Sequence, residues 1–331
     1  MTPSLRASYA VCRRIARQAG SNFYAGFLLL PRPQREAMDA LYAFMRHTDD
    51  LADNPQPAHL RSQDLTHWRA DLEHALLGCA ERPGEPARPA GKRGTVPVCR
   101  NGPKGASHKR GLSPFFPPET DEGRTILPAL TDAVQRYRIP HDHLRAAIDG
   151  VEMDLTKRRY ETFAELERYC ELVASAVGLA CIHIWGFRGQ EAFEPARKCG
   201  IALQLTNILR DLRDDAEQDR VYLPAADMRA CGYSEDELLR GVDNQPFRRL
   251  IALEVGRAEQ FYREGAALLD LLETAGRRVF GLMMSVYRAI LRRIDRAPGE
   301  VLVRRVRLGR LQKLRIALRW TFLPPRAAAL L

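Results

Sequence analysis

Apolar side chains recur at helical spacing along most of the chain. In QREAMDALYAFMRHTDDLA (34–52), Met38, Leu41 and Met45 follow the three- and four-residue spacing of one helix face. The same periodicity predicts further helices over 61–79, 126–137, 140–157, 162–187, 191–217, 245–273 and 276–294. Alternating runs typical of strands are scarce, and neither a G-x-G-x-x-G motif nor a Walker loop occurs. The pattern therefore predicts an all-α protein without a nucleotide-binding sheet.

Residues 81–124 interrupt this pattern. They hold eight of the 21 prolines and seven of the 23 glycines, a composition that sustains neither helices nor a core. We expect a disordered insertion within one domain formed by 1–80 and 125–320, followed by a C-terminal tail over 321–331. Two interpretations of the insertion stay open, an unspecialised mobile loop and a basic arm that binds a partner.

Length, cysteines and charge narrow the class of protein. The chain has 331 residues, 45% of them hydrophobic, which suffices for a large core. No stretch approaches the roughly 20 apolar residues of a membrane-spanning helix, and the N-terminus lacks the apolar run of a secretory signal, so we expect a cytoplasmic protein. The seven cysteines form no C-x-x-C pair, which disfavours a disulfide framework or a zinc site. The formal charge of +10 fits nucleic acid, an anionic membrane surface or a polyanionic substrate.

The C-terminal stretch 301–323 is basic and amphipathic. Its leucines, isoleucine and valines alternate with Arg304, Arg305, Arg307, Arg310, Lys313, Arg315 and Arg319. Such a stretch can lie peripherally on the inner face of a membrane. It can equally be a last helix that packs on the bundle and exposes a basic face. The sequence alone favours neither interpretation.

Two acidic clusters carry the candidate chemistry. Each contains a D-x-x-x-D pair, Asp49 with Asp53 and Asp211 with Asp215. Residues four apart lie on one helix face, so each pair presents two carboxylates side by side. Like charges at this spacing destabilise a helix, and a cation between them removes that cost. Mg²⁺ is typically held by one or two carboxylates together with substrate phosphate oxygens. The two pairs therefore predict a site for Mg²⁺ and a diphosphate.

The residues beside the clusters support this interpretation. Arg46 precedes the first cluster, and Arg210 and Arg220 flank the second, where guanidinium groups can hold phosphate oxygens. Asn207 lies four residues before Asp211 and projects from the same face, with Gln204 about one turn earlier. Solvated surface helices do not account for this ladder of polar residues.

At these residues the chain resembles the squalene/phytoene synthase family. ALYAFMRHTDDLAD (40–53) is similar to that family's first aspartate motif, and QLTNILRDLRDDAEQDRVYLP (204–224) to its second. GSNFYAGFLLLP (20–31) is similar to its N-terminal diphosphate-contacting segment, and YETFAELERYCELVASAVGLACIHIWGF (160–187) to its central pocket helix. The resemblance covers essentially all of the chain except the insertion.

This resemblance implies an isoprenoid-synthase helical bundle with a central active-site cavity and the activity of a prenyltransferase. It assigns Mg²⁺, replaceable by Mn²⁺, to Asp49, Asp53, Asn207, Asp211 and Asp215. It assigns diphosphate contacts to Ser21, Arg46, Gln204, Asn207, Arg210 and Arg220. The implied catalytic residues are the four aspartates with Tyr169 and Tyr287, and the implied pocket wall is Phe23, Val173, Ala174, Val177 and Gly178.

The implied reaction is the head-to-head (1′-1) condensation of two prenyl diphosphates. VASAVG (173–178) is more similar to bacterial presqualene diphosphate synthases than to phytoene synthases. This favours two farnesyl diphosphates, giving presqualene diphosphate or squalene, over two geranylgeranyl diphosphates, giving phytoene. Whether NADPH takes part stays open, because family members that reduce the intermediate bind NADPH without a dinucleotide fingerprint.

There are two competing interpretations, a protein of another class and a degenerate member of the same family. A basic helical nucleic-acid-binding protein would use the charge of +10 and the basic C-terminus, but it assigns no role to the ladder from Asn207 to Asp215. A degenerate family member serving as a partner subunit would be expected to have lost a ligand, whereas both D-x-x-x-D pairs are whole. We therefore expect prenyl diphosphates, and not nucleic acid, as the ligands.

Overall fold

The protein is described by a computed structural model that covers residues 2–18, 22–78 and 122–322. Within these ranges the chain is helical, and the β-type contacts are two isolated bridges. The predicted all-α class is confirmed. The first half contains α1 (Pro3–Gln18), α2 (Asn22–Phe27), α3 (Arg32–Asp53), α4 (Ala58–Leu77), α5 (Glu122–Tyr137), α6 (His141–Thr156), α7 (Phe163–Cys170) and α8 (Ala176–Trp185).

The second half follows a short 3₁₀ turn at Gln190–Ala192. It contains α9 (Phe193–Ala216), α10 (Ala225–Cys231), α11 (Glu235–Leu239), α12 (Gln245–Gly265), α13 (Leu268–Leu271), α14 (Thr274–Arg296), α15 (Glu300–Val303) and α16 (Arg310–Phe322). The helix predicted over 162–187 is continuous in direction, but Glu171–Ser175 forms a wider π-helical turn between α7 and α8, called the π turn below. Within the described ranges, each helix is too short or too polar to traverse a bilayer.

The predicted insertion lies mostly outside the described residues, which leave out 79–121, so its disorder stays a prediction. Its predicted end at 124 is too late, because α5 begins at Glu122. Gly123 is buried where a Cβ would come within 2.5 Å of His47 and 3.0 Å of Trp68, so glycine permits this close approach. A glycine that composition alone assigns to the insertion therefore serves helix packing.

The C-terminal stretch is not one helix. Helix α15 ends at Val303, an irregular segment follows, and α16 begins at Arg310. The predicted start of the C-terminal tail (321–331) is too early, because α16 continues to Phe322. Trp320 is buried against α14, where its indole donates a hydrogen bond of 2.8 Å to the Ser285 hydroxyl.

Helices α3 and α9 form the centre of the bundle. Helix α9 packs against α8, α12, α14 and the π turn, and α3 packs against α1, α4, α5 and α6. Most of their buried apolar side chains belong to one large hydrophobic core. Both helices are long, and both end in an acidic cluster, so the core fixes the positions of the two clusters relative to each other.

Two glycines let the π turn pack closely between α6 and α9. A Cβ on Gly150 of α6 would come within 2.5 Å of Val173, and one on Gly200 of α9 within 2.5 Å of the Ser175 Cα and 2.7 Å of its nitrogen. The Ser175 hydroxyl also donates to the Arg197 carbonyl at 2.8 Å. The π turn is therefore held on both sides, and the side chains that it carries have fixed directions.

Replacing Gly200 with alanine tests this packing. The added methyl group would overlap backbone atoms of Ser175, which cannot move away by changing rotamer. We expect the free energy of unfolding to fall by about 2 kcal/mol, measured by urea denaturation followed by circular dichroism.

Gly256→Ala is the matched control, because a Cβ added to this exposed glycine of α12 would meet no atom within 4 Å. The control is expected to stabilise the protein by up to about 1 kcal/mol, since alanine is the better helix former. Equal effects at the two glycines would contradict the proposed close approach.

Candidate active site

One cavity of about 280 Å³ runs along the inner faces of α3 and α9. Helix α9 lines it from Ala196 to Asp215, a span of roughly 28 Å at about 1.5 Å per residue. The N-terminal halves of both helices contribute mainly apolar side chains, and their C-terminal ends contribute carboxylates. The cavity therefore has an acidic end, formed by Asp49, Asp53, Asp211, Asp214 and Asp215, and a long apolar part.

The aspartates of the first acidic cluster have two different positions and contacts. Asp49 and Asp53 line the cavity, as their spacing predicts. Asp50 is buried beside them and pairs in a bidentate manner with Arg46, at 2.7 and 3.0 Å. Arg46 also lines the cavity. Asp50 therefore holds a guanidinium group at the acidic end, next to the two carboxylates.

The second cluster is built around Asp211. Its carboxylate accepts two hydrogen bonds from Arg210, at 2.8 and 2.6 Å, and one of 3.4 Å from Nη2 of Arg305. Nε of Arg305 forms an ion pair with the same carboxylate at 2.8 Å. Asp211 and Arg210 are buried, and Arg305 is largely so. Burial disfavours a charged guanidinium, but the hydrogen bonds and charge of Asp211 outweigh this effect and raise the pKa of Arg210. Two cationic groups thus neutralise one buried carboxylate.

Sequence reasoning assigns no site role to Arg305. It appears there only among the basic residues of the C-terminal stretch, and it lies in the irregular segment between α15 and α16. Burial and repulsion by Arg210 lower its pKa, while Asp211 opposes that change. Arg213 donates a hydrogen bond to the carbonyl of Val303, the last residue of α15, and so ties the chain just before this segment to α9. Because the contact joins positions far apart in the sequence, no local pattern indicates it.

Asp214 also lines the acidic end, although the sequence pairs single out only its neighbours. Burial and then repulsion by Asp211 raise the pKa of the Asp214 carboxyl. Carboxylates at the C-terminal end of a helix also lie where the helix dipole is negative. Both effects make the acidic end unfavourable for further negative charge and favourable for a cation.

Asn207 provides the observation that fits a metal ion best. Its side-chain oxygen is buried and has no hydrogen-bond partner among the described residues, while its amide nitrogen donates to Gln204 at 3.3 Å. Both residues line the cavity. A buried amide oxygen beside carboxylates is a suitable ligand for a hard divalent cation.

The described side chains do not form a complete metal site on their own. Nowhere in these ranges do three carboxylate, imidazole or thiol groups converge closely enough to hold an ion. This arrangement fits Mg²⁺, which usually keeps several waters and completes its shell with substrate phosphate. It does not fit a structural zinc ion, whose protein ligands close the shell.

A buried tyrosine network lies beside the acidic end. Asp154 of α6 is only 4% exposed, and its two oxygens accept hydrogen bonds of 2.9 Å from the hydroxyls of Tyr169 and Tyr222. The two rings stack with centroids 5.2 Å apart, and all three residues line the cavity. The resemblance assigns a role to Tyr169 alone among the three. Asp154 therefore fixes the direction of two aromatic faces.

Two of the predicted residues are buried behind the cavity surface. Tyr287 of α14 is buried and forms a hydrogen bond with Arg210. It therefore supports that guanidinium group and does not line the cavity. Burial raises the pKa of its hydroxyl. Arg220 is buried as well and contacts Gln218, which lines the cavity in its place.

The predicted pocket wall is found where the resemblance placed it, as far as it is described. Val173, Ala174, Val177 and Gly178 line the cavity. Ser21 and the side chain of Phe23 lie outside the described residues, so their roles stay predictions. The wall also includes apolar residues that the sequence does not single out, among them Phe27, Trp185, Leu203, Phe280 and Met283.

The comparisons with known proteins agree with this geometry. The squalene/phytoene synthase family pattern matches residues 16–312. The 15-cis-phytoene synthase of Synechocystis is 30% identical over 323 residues, covering 94% of this chain and 83% of that protein. The phytoene synthase of Arthrospira platensis is 31% identical over 314 residues, covering 91% and 88%.

Solved structures show the same architecture. A squalene synthase from Alicyclobacillus acidocaldarius superposes with a TM-score of 0.72 at 26% identity, over 91% of this chain and 97% of that one. A dehydrosqualene synthase superposes with a TM-score of 0.73 at 22% identity, over 96% of each chain. The sequence match over most of the chain, together with the shared fold, shows that this protein belongs to the squalene/phytoene synthase family of prenyltransferases.

Proposed function

We propose that this chain joins two prenyl diphosphates head to head and releases diphosphate. The observation that carries the proposal is a single cavity with carboxylates and guanidinium groups at one end and apolar walls along the rest. A prenyl diphosphate has the same division, a polyanionic head on a hydrocarbon chain. Such a substrate is therefore oriented by the two ends of the cavity.

Binding of the diphosphate requires positive charge at the acidic end. We propose that Asp49, Asp53, Asp211, Asp215 and Asn207 hold Mg²⁺, or Mn²⁺ in its place. When bound, the metal neutralises the carboxylates and the charge that develops on the departing diphosphate. The unpartnered oxygen of Asn207 supports this assignment.

The arginines of the acidic end supply the remaining charge. Arg46, Arg210 and Arg305 each pair with an aspartate in the protein alone. A diphosphate that enters beside them offers a second anion, and guanidinium groups bind phosphate oxygens in a bidentate manner. Preorganised donors of this kind stabilise the leaving group as the carbon–oxygen bond breaks.

The apolar part of the cavity protects the allyl cation that remains. Leu203, Phe280 and Met283 exclude water, which would otherwise capture the cation. The stacked rings of Tyr169 and Tyr222 present aromatic faces next to the acidic end, where such faces attract positive charge. The double bond of the second prenyl chain then attacks the cation and forms a carbon–carbon bond. Loss of a proton from the first carbon of the first chain, which the released diphosphate can accept, closes the ring of a cyclopropyl diphosphate.

The substrates that we favour are two farnesyl diphosphates, which give presqualene diphosphate or squalene. The VASAVG segment (173–178), whose Val173, Ala174, Val177 and Gly178 line the cavity, supports these shorter chains through its likeness to presqualene diphosphate synthases. The names of the relatives favour a second candidate, since those about 30% identical are phytoene synthases. That reaction would use two geranylgeranyl diphosphates.

The choice of substrate is tested by product analysis. Purified protein with Mg²⁺ and farnesyl diphosphate is expected to give presqualene diphosphate, and squalene if NADPH is added and used. Preferential conversion of geranylgeranyl diphosphate to phytoene would select the second candidate. No product from either substrate would overturn the proposed condensation.

The two acidic pairs are tested by Asp49→Asn and Asp211→Asn. Each substitution removes one negative charge at the acidic end, and we expect product formation to fall by at least about a hundredfold. Helix content by circular dichroism should stay near that of the parent protein. The exposed Asp236 of α11 provides the matched control, Asp236→Asn, which should keep full activity. Turnover retained in Asp49→Asn or Asp211→Asn would refute the proposed metal site.

The tyrosine network is tested by Asp154→Asn. An amide of the same size accepts only one of the two tyrosine hydrogen bonds, so the rings lose their fixed direction. We expect kcat to fall about tenfold with little change in KM, measured in single-substrate kinetics. Tyr222→Phe keeps the ring and loses one hydrogen bond, and a smaller effect is expected. A change in KM alone would contradict a role in positioning the rings.

A further inference from the structure

Helix α16 presents four large apolar side chains to solvent along one face. Leu311, Leu314, Leu318 and Phe322 follow helical spacing and are 78%, 53%, 47% and 76% exposed. We call these four residues the apolar stripe. No other described residue covers them. Scattered single apolar residues are normal on protein surfaces, but a continuous stripe of them indicates an interaction site.

The stripe lies on the side of α16 opposite its packed face. At about 100° per residue, Leu318 is roughly 160° from Trp320, the buried residue that attaches α16 to α14. The indole of Trp320 occupies the position of a missing side chain at Gly281, where a Cβ would come within 2.3 Å of the ring. The helix is thus fixed on one side, and its stripe is not a loosely packed part of the core.

Basic residues flank the stripe on both sides. By the same geometry Arg310 lies on one side, and Arg315 and Arg319 lie on the other, and all three are exposed. The segment 301–322 contains seven basic residues and no acidic residue. An apolar face between rows of arginine is typical of a helix that lies in the interface plane of an anionic membrane.

We propose that α16 docks this face on the surface of an anionic lipid bilayer, with the apolar stripe in the acyl boundary and the arginines among the headgroups. Charge decides between this occupant and a second copy of the chain. Two stripes packed against each other would bring the rows of Arg315 and Arg319 together without acidic partners on α16. Anionic lipid neutralises these rows, because a negatively charged membrane surface attracts basic residues.

The docked helix is close to the active site in the fold. Helix α14 separates them, since Phe280 and Met283 line the cavity while Gly281 and Ser285 contact Trp320. Arg305, which pairs with Asp211, lies five residues before the start of α16. If the proposed function holds, this arrangement places an enzyme whose product carries long hydrocarbon chains next to the phase that dissolves such chains.

Vesicle sedimentation with the full-length protein tests the proposal. The parent protein is expected to bind phosphatidylcholine vesicles that contain phosphatidylglycerol, and to bind pure phosphatidylcholine vesicles weakly. Replacing all four residues of the apolar stripe with serine should weaken binding at least about tenfold. The matched control replaces four exposed leucines of other helices with serine, Leu60, Leu77, Leu239 and Leu253, and should bind like the parent.

Two further measurements make the result decisive. In detergent solution the stripe variant should turn over prenyl diphosphates at the parental rate, so a loss of vesicle binding is separate from a failure of the proposed function. Light scattering gives the mass of each variant in solution. Unchanged vesicle binding in the stripe variant overturns the proposal, and so does a dimer that dissociates in that variant without loss of lipid binding.

Discussion

The structure depends on the balance of charge around Asp211. A carboxylate buried beside an apolar cavity is costly unless cationic groups neutralise it. Here the two guanidinium groups of Arg210 and Arg305 do so, and they come from opposite ends of the second half of the chain. The same groups hold α9, the irregular segment before α16 and, through Tyr287, α14 together. The contacts that stabilise this part of the fold are therefore the contacts that the proposed diphosphate would share.

The cavity has an acidic end and an apolar part because of the direction in which its two central helices run. On the faces that line the cavity, α3 and α9 both carry mainly apolar residues in their earlier turns and acidic residues in their last turns. Each helix thus contributes to both parts of the cavity, and one core fixes both. This explains how the proposed metal site and an apolar pocket can share one cavity of the helical bundle.

The sequence was sufficient for the parts of the site that follow local spacing. Pairs four residues apart predicted that Asp49 and Asp53 share a face, and the helix periodicity predicted most of the bundle. Contacts between distant segments produce no local sequence pattern. The sequence therefore does not predict the roles of Arg305 and Asp154 in the site. Tyr287 was assigned to the cavity surface because the resemblance gives residue types and not depth. The break before α16 was missed because the pattern of basic and apolar residues continues across it.

The π turn has a consequence for how the pocket can change during evolution. Tyr169, Val173, Val177, Cys181 and Trp185 recur every four residues along one wall, whereas an α-helix has about 3.6 residues per turn and would drift off that wall. The wider turn offsets most of this difference. Loss of one codon there would restore a regular helix and rotate every later wall residue by roughly 100°. The lining of the cavity is therefore open to remodelling by a length change at one position, without any substitution in the wall itself.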